Sequence, residues 1–200
     1  MKILVTGFDP FGGETINPAW EAVRRLPEKI GEAEVVRIMI PTVFTRSFEQ
    51  VLEKVSLLRP DYVVSVGQAA GRSEITPERI AINLEDAAIP DNDGVMPQER
   101  PVIPGAPDGY FSLLPVARMA QAIKDAGLPA KVSNTAGTFV CNHVMYALLH
   151  ACHTRFTGMK SGFIHVPCVP EQTVLHPEWF SLPVEEITRG LTAALCVLVG

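Results

Sequence analysis

No run in this chain approaches the roughly 18 consecutive apolar residues that a membrane-spanning helix needs. The opening apolar run, Ile3-Leu4-Val5, is far too short for the core of a signal peptide and gives way to Gly7, Asp9 and Pro10. Cysteine is scarce: Cys141, Cys152, Cys168 and Cys196 all fall in the last third and form no C-x-x-C pair. Reduced thiols in a cytoplasmic protein are therefore expected, not a disulfide framework. Basic clusters are also lacking. Seventeen Lys and Arg against 22 Asp and Glu leave a formal charge of −5. No cationic stripe is available for a phosphate backbone, so neither nucleic acid nor membrane is expected as a partner.

Two familiar site types are missing as well. Residues 7–13 contain Gly7, Gly12 and Gly13 but neither the lysine and hydroxyl of a P-loop nor a G-x-G-x-x-G spacing. With Phe8, Pro10 and Phe11, this loop suits the wall of an apolar pocket. His150, Cys152 and His153 crowd about one helical turn and cannot all face a single ion, and no second cluster has ligand spacing. No metal and no cofactor is expected.

What is present is the composition of a soluble globule, 47% hydrophobic and 20% charged over 200 residues. That length suits one domain spanning residues 1–200 with a sizeable core. Strand-like apolar runs at 2–6, 35–40, 62–66 and 162–166 alternate with helical periodicity. Asn17-Pro18 reads as an N-cap followed by proline at the first helical position, opening a helix to about residue 26. Helices are also expected at 47–58, with Phe48, Val51, Leu52 and Val55 on one face, and at 115–126 and 184–199. Weaker alternation predicts strands at 78–84 and 131–133. This order implies an α/β fold with a mostly parallel sheet covered on both faces, and sites at the carboxyl ends of its strands. One stretch breaks the pattern. Residues 89–115 carry six prolines and three glycines, a long stiff loop of the kind that forms lids or interface arms.

The polar run from Val132 to Thr138 passes through Gly137 and delivers Cys141 to the start of an apolar-periodic helix, expected to end near His153. Unpaired N–H groups and the helix dipole at such a junction favour a thiolate, the reactive form of a nucleophile. A nucleophile needs a base and a group that orients the base. His143 is two residues further along the same helix and points about 200° away from Cys141. His150 and His153 suit the far helix end as cations, and His176 lies in a proline-flanked loop. His165 instead ends the strand Gly162-Phe163-Ile164-His165-Val166, where this fold class gathers its sites. For the orienting group, Glu78 competes with Asp86, Asp91 and Asp93.

Several long motifs then carry a resemblance. They are residues 6–13 with Asn17-Pro18, Gly67-Gln68-Ala69 through Gly71-Arg72, residues 78–83, Ile89-Pro90-Asp91-Asn92, residues 133–142 and residues 162–167. In this order they resemble the pyroglutamyl peptidase I family over nearly the whole chain. The resemblance implies an open three-layer α/β/α sandwich. It implies a cysteine peptidase that removes an N-terminal pyroglutamyl residue, with Cys141, His165 and Glu78 as its triad. It further implies pocket residues Phe8, Phe11, Thr42, Gln68, Ile89, Phe139 and Val140, small pyroglutamyl peptides as substrates, and a cytoplasmic homo-dimer or homo-tetramer. One departure stands out. The family's run Asp-Ala-Arg-Ile-Pro-Asp-Asn reads Asp86-Ala87-Ala88-Ile89-Pro90-Asp91-Asn92 here. Losing one oxyanion donor typically costs about 10²–10³ in rate. A non-catalytic binder of lactam-capped peptides, or another hydrolase or phosphorylase on a similar scaffold, remains open at this stage.

Overall fold

The computed structural model describes residues 1–174 and 176–200. Strand β1 (Lys2–Phe8) leads through helix α1 (Pro18–Val23) and a short β2 (Lys29–Ile30) to β3 (Ala33–Ile40). Helix α2 (Phe44–Leu58) connects to β4 (Tyr62–Gln68). Then come β5 (Thr76–Pro77), β6 (Ile80–Ile82), β7 (Gly109–Phe111), α3 (Val116–Asp125), α4 (Val140–Thr154), β8 (Lys160–Val166) and α5 (Val184–Val199).

The main sheet runs β2-β3-β1-β4-β8-β5. Its four central strands are parallel, and β2 and β5 cap the edges antiparallel. Alternation along each strand divides the core in two. Ile3, Val5, Val64, Val66 and Ile164 face a layer built from α1, α3 and α5. Leu4, Phe8, Val63 and Phe163 face α2 and α4 on the other side. The expected three-layer α/β/α arrangement is thus the observed one. No helix among the described residues is long and apolar enough to cross a membrane.

From β1 the chain steps to β3 on one side and later returns to β4 and β8 on the other. The reversal opens a crevice at the carboxyl ends of β1 and β4, the place where such sheets hold ligands. Gly7 lets α1 close over this edge, since a Cβ there would lie 2.7 Å from the Trp20 Cα.

The expected strand at 78–84 is corrected. Only Ile80–Ile82 of it form a strand, β6, paired with β7 in a separate two-stranded sheet; the strand on the edge of the main sheet, β5, paired with β8, lies just before it at Thr76–Pro77. Pro77 lacks an N–H and is tolerated because β5 is an edge strand. The expected strand at 131–133 reduces to one isolated bridge, Glu78 with Ser133, beside a second just before it, Ile75 with Ala130. So short a polar segment finds no second neighbour on which to extend a ladder. Helix α1 ends at Val23, not at residue 26, because the chain tightens into i→i−3 bonds such as Leu26 N–H to Val23 O. The proline-rich loop is ordered against the molecule. Glu85 and Arg100 exchange backbone hydrogen bonds, Ala87 N–H donates to Pro97 O, and Val102 and Ile103 pack on the α4 side of the core.

Candidate active site

Three strand ends and one helix start converge on the crevice. Phe8 comes from β1, Gln68 from β4, His165 from β8 and Cys141 from the first turn of α4. A series of small turns before α4 aims the sulfur. Ser133 Oγ and the Thr135 N–H share a hydrogen bond, Gly137 N–H donates to Thr135 Oγ1 at 3.1 Å, and Gly137 adopts φ 78°, a conformation suited to glycine. Phe139 then caps the helix with extended backbone. Close approach is possible because residue 67 is glycine: a Cβ there would fall 2.8 Å from Cys141 Sγ and 2.8 Å from the Phe163 ring.

The ring and the carboxylate meet from distant parts of the chain. His165 Nδ1 lies 2.7 Å from Glu78 Oε1, and both side chains are buried. Burial pulls the Glu78 pKa upward, but the hydrogen bond and charge of His165, with Ser133 and Arg72 adding to them, hold it below the usual carboxylate range. Burial lowers the His165 pKa, and Arg72 adds to this. Glu78 opposes the shift without reversing it. A neutral ring that gives its Nδ1–H to an ionised Glu78 keeps Nε2 unprotonated, the state a general base needs.

The sulfur departs from expectation. Desolvation, and next the negative charge of Glu78, push the Cys141 thiol up to about 12. A helix terminus contributes about 0.3–1 kcal/mol, less than one pKa unit, and so cannot offset them. The resting group at neutral pH is a thiol, and its proton must leave as it attacks. Cys141 is half-buried and lines the same cavity as His165, although no hydrogen bond joins the two among the described residues.

That cavity holds about 190 Å³. Of the residues expected to form it, Phe8, Phe11, Thr42, Gln68 and Phe139 line it. Phe11 and Phe139 face each other with ring centroids 6.2 Å apart, and Phe44 braces Phe139 edge-on at 5.3 Å. Val140 is fully buried in the α4 side of the core and Ile89 is exposed on the proline-rich loop; neither lines the cavity. Ala88 is likewise exposed and outside the lining. Arg72 and Asn17 do line it and were not singled out for it by pattern. Arg72 lies beside Gly71 in a stretch where only the resemblance draws attention. Asn17 reads as a helix cap and is one, accepting from Ala19 N–H, while its amide donates to Asp9 O.

The rim is fastened from outside. Asp9 Oδ1 accepts from Thr42 N–H at 2.6 Å and from the Asn92 amide at 3.2 Å, and Asn92 also donates to Pro10 O.

The competing candidates are engaged elsewhere. Asp91 accepts from Phe44, Asp93 and Val95 N–H groups, Asp93 pairs with Arg46, and Asp86 is exposed and outside the cavity lining. His143 is held by Glu85, His150 contacts the Tyr110 hydroxyl at 2.9 Å, and His153 meets the Leu149 carbonyl at 2.8 Å. His176 stacks on Trp179 with centroids 3.9 Å apart.

Comparison with known proteins is consistent along the whole chain. A family model described as pyroglutamyl peptidase matches residues 1–199. The pyrrolidone-carboxylate peptidase of Lactobacillus johnsonii is 53% identical over 199 residues, covering 100% of this chain and 93% of its own length. That of Levilactobacillus brevis is 55% identical, covering 100% and 98%. The crystal structure of pyroglutamyl peptidase I from Bacillus amyloliquefaciens superposes with a TM-score of 0.95 at 47% identity, covering 100% of this chain and 95% of that one.

Proposed function

This chain belongs to the pyroglutamyl peptidase family, and we propose that it removes an N-terminal pyroglutamyl residue from peptides with Cys141 as nucleophile, His165 as general acid and base, and Glu78 as the group that orients the ring. The observation that carries this assignment is a small aromatic cavity with Cys141 and His165 in its wall and Glu78 bonded behind the ring.

Pyroglutamate is a flat, neutral lactam. Pockets for drug-sized ligands run to roughly 300–1,000 Å³, so about 190 Å³ suits a single small ring. Phe8, Phe11 and Phe139 supply its apolar faces, and Thr42 and Gln68 bring polar groups to the same wall. Glutamate or glutamine at the N-terminus would carry a charged amine into this slot, and burying that charge unpaired is costly.

As the sulfur attacks the carbonyl that follows the lactam ring, its proton passes to His165 Nε2. Glu78 stays ionised and steadies the imidazolium. The ring then gives that proton to the leaving amine as the C–N bond breaks, leaving a thioester on Cys141. Water attacks the thioester, losing a proton to His165, and pyroglutamate departs as the proton returns to sulfur. The Cys141 backbone N–H, in the first turn of α4, has no partner one turn back and is the oxyanion donor in this scheme. The enzyme works in the cytoplasm on small peptides, as a homo-dimer or homo-tetramer, with no metal or cofactor.

The test is turnover of a pyroglutamyl-linked fluorogenic amide before and after prolonged iodoacetamide treatment at alkaline pH, beside the Cys141→Ala variant. Loss of turnover in both is expected. Retained turnover in a folded Cys141→Ala protein removes Cys141 from the nucleophile role.

A further inference from the structure

Glu78 has a second partner besides the imidazole. Arg72, in the loop between β4 and β5, sends Nη1 to Glu78 Oε1 at 2.5 Å and to Thr76 Oγ1 at 2.7 Å. Its Nη2 donates to the Thr135 carbonyl at 2.9 Å. Thr135 belongs to the turn that runs through Gly137 into the start of α4 and Cys141. One planar group therefore bonds the edge strand β5, the carboxylate behind the ring, and the loop that delivers the sulfur.

Stability alone does not call for this arrangement. Thr135 is exposed, and water would satisfy its carbonyl. Arg72 keeps a quarter of its side chain exposed and forms part of the cavity wall. Holding a long, flexible side chain across this span costs conformational entropy. In return, the rigid fork of a guanidinium fixes two acceptors relative to each other, which a lysine ammonium cannot do.

We propose that Arg72 is a positioning residue for the hydrolysis, setting the relation between the Glu78–His165 pair and the loop that carries Cys141. The proposal rests on those three residues acting as described above. It has a geometric and an electrostatic consequence. Three groups face the ring: Glu78 between β5 and β6, Arg72 from the loop after β4, and the Cys141 thiol from α4. The positive charge of Arg72 opposes protonation of His165 and eases proton loss from Cys141; the charge of Glu78 does the reverse. Removing the Arg72 charge therefore makes the imidazolium easier to form.

The experiment compares Arg72→Met and Arg72→Lys with the wild-type full chain, using a pyroglutamyl fluorogenic amide from pH 5 to 9. Rates are normalised to the concentration of folded protein, and melting temperatures are recorded alongside. Arg72→Met is expected to lower kcat by about 10–100-fold, the cost of a misplaced reacting group, with a smaller change in KM. Its acid limb of kcat/KM moves to higher pH, so the ratio of rates at pH 7.5 and pH 5.5 rises by about threefold. Arg72→Lys keeps the acid limb near that of the wild type but still loses about tenfold in kcat, because a point charge does not reproduce the fork. Wild-type kcat in either variant overturns the proposal. So does a loss in Arg72→Met with an unmoved acid limb and a lowered melting temperature, which is the signature of a merely structural role. Should Arg72→Met fail to fold, Arg72→Lys decides by its kcat at unchanged melting temperature. A folded Cys141→Ala protein that still turns over the substrate overturns the underlying triad instead, whatever Arg72 does.

Discussion

Two clusters of the same composition lie about helix α4. In one, Glu78 accepts from His165 and Arg72; in the other, Glu85 accepts from His143 and Arg100. Both carboxylates are buried. In both, desolvation works to raise the pKa and is outweighed, first by the hydrogen bond to histidine, so that each lies below the usual range. The difference is what the ring's other nitrogen faces. His165 borders a cavity that it shares with a thiol. His143 packs edge-on to Phe44 and Phe48, and its Nε2 is buried without a partner among the described residues. The same three side chains thus serve as a candidate base in one place and, in the other, fasten the middle of the proline-rich loop and the segment just before it to α4. Composition of the cluster does not decide its role; access to a substrate and a proton donor does.

The comparison breaks most readily at the rings. His165→Ala is expected to lower kcat by about 10²–10⁴-fold. His143→Ala should leave kcat within about tenfold while costing about 1–3 kcal/mol of stability, since it leaves the buried Glu85 with only Arg100. Steady-state kinetics beside urea denaturation reads both. Equal kinetic losses would mean that the second cluster takes part in turnover.

A subtler pair keeps the shape and removes the charge. Glu78→Gln should cost about 10²–10⁴ in kcat by favouring the wrong tautomer of His165. Glu85→Gln should show itself in the urea midpoint and scarcely in kcat.

The pH dependence sharpens the contrast. With the His165 pKa lowered, the acid limb of kcat/KM should fall below the ordinary histidine value of about 6.5. With the Cys141 thiol near 12, its alkylation rate without substrate should keep rising above pH 9. A plateau near pH 8.5 would reveal an ordinary thiol. Stability follows the same signs. Groups whose folded pKa is depressed contribute above their unfolded value and lose that contribution as pH falls through the folded one. His165 does so below about pH 6.5, and Glu78 and Glu85 below about pH 4.5. Thermal melts should therefore be level near neutrality and decline in two stages on acidification, with His165→Ala missing the first; they should also fall above about pH 8.5–9, where the Cys141 and Cys152 thiols, raised in the folded protein, ionise in the unfolded chain.

The smallest effect is expected at residue 88. Ala88 is exposed and does not line the cavity, so Ala88→Arg should change kcat by less than about threefold. A tenfold rise would show that the oxyanion site lacks a donor.

Much of the fold is legible before folding. Buried parallel strands such as β1 and β8 are continuous apolar runs, α5 keeps its expected bounds, and Asn17-Pro18 opens α1. The glycine turn ahead of the helix and the ring at a strand end single out Cys141 and His165, and the resemblance adds Glu78. Division of residues 76–82 between two sheets is not legible, because the partners, β8 and β7, lie far along the chain. Within the pocket, Val140 shares its motif with Phe139, but one side chain faces the core and the other the cavity.

Local order of residues was enough to establish the alternating architecture, the glycine turn ahead of a cysteine-bearing helix and the family, for these depend on near neighbours and on long contiguous motifs. The protonation states, the contact between Glu78 and His165 across 87 positions, and the separation of a working cluster from its buried counterpart emerged only in the folded molecule. Desolvation and charge act through space: a sulfur packed against Gly67 and near Glu78 responds to atoms that are remote from it along the chain.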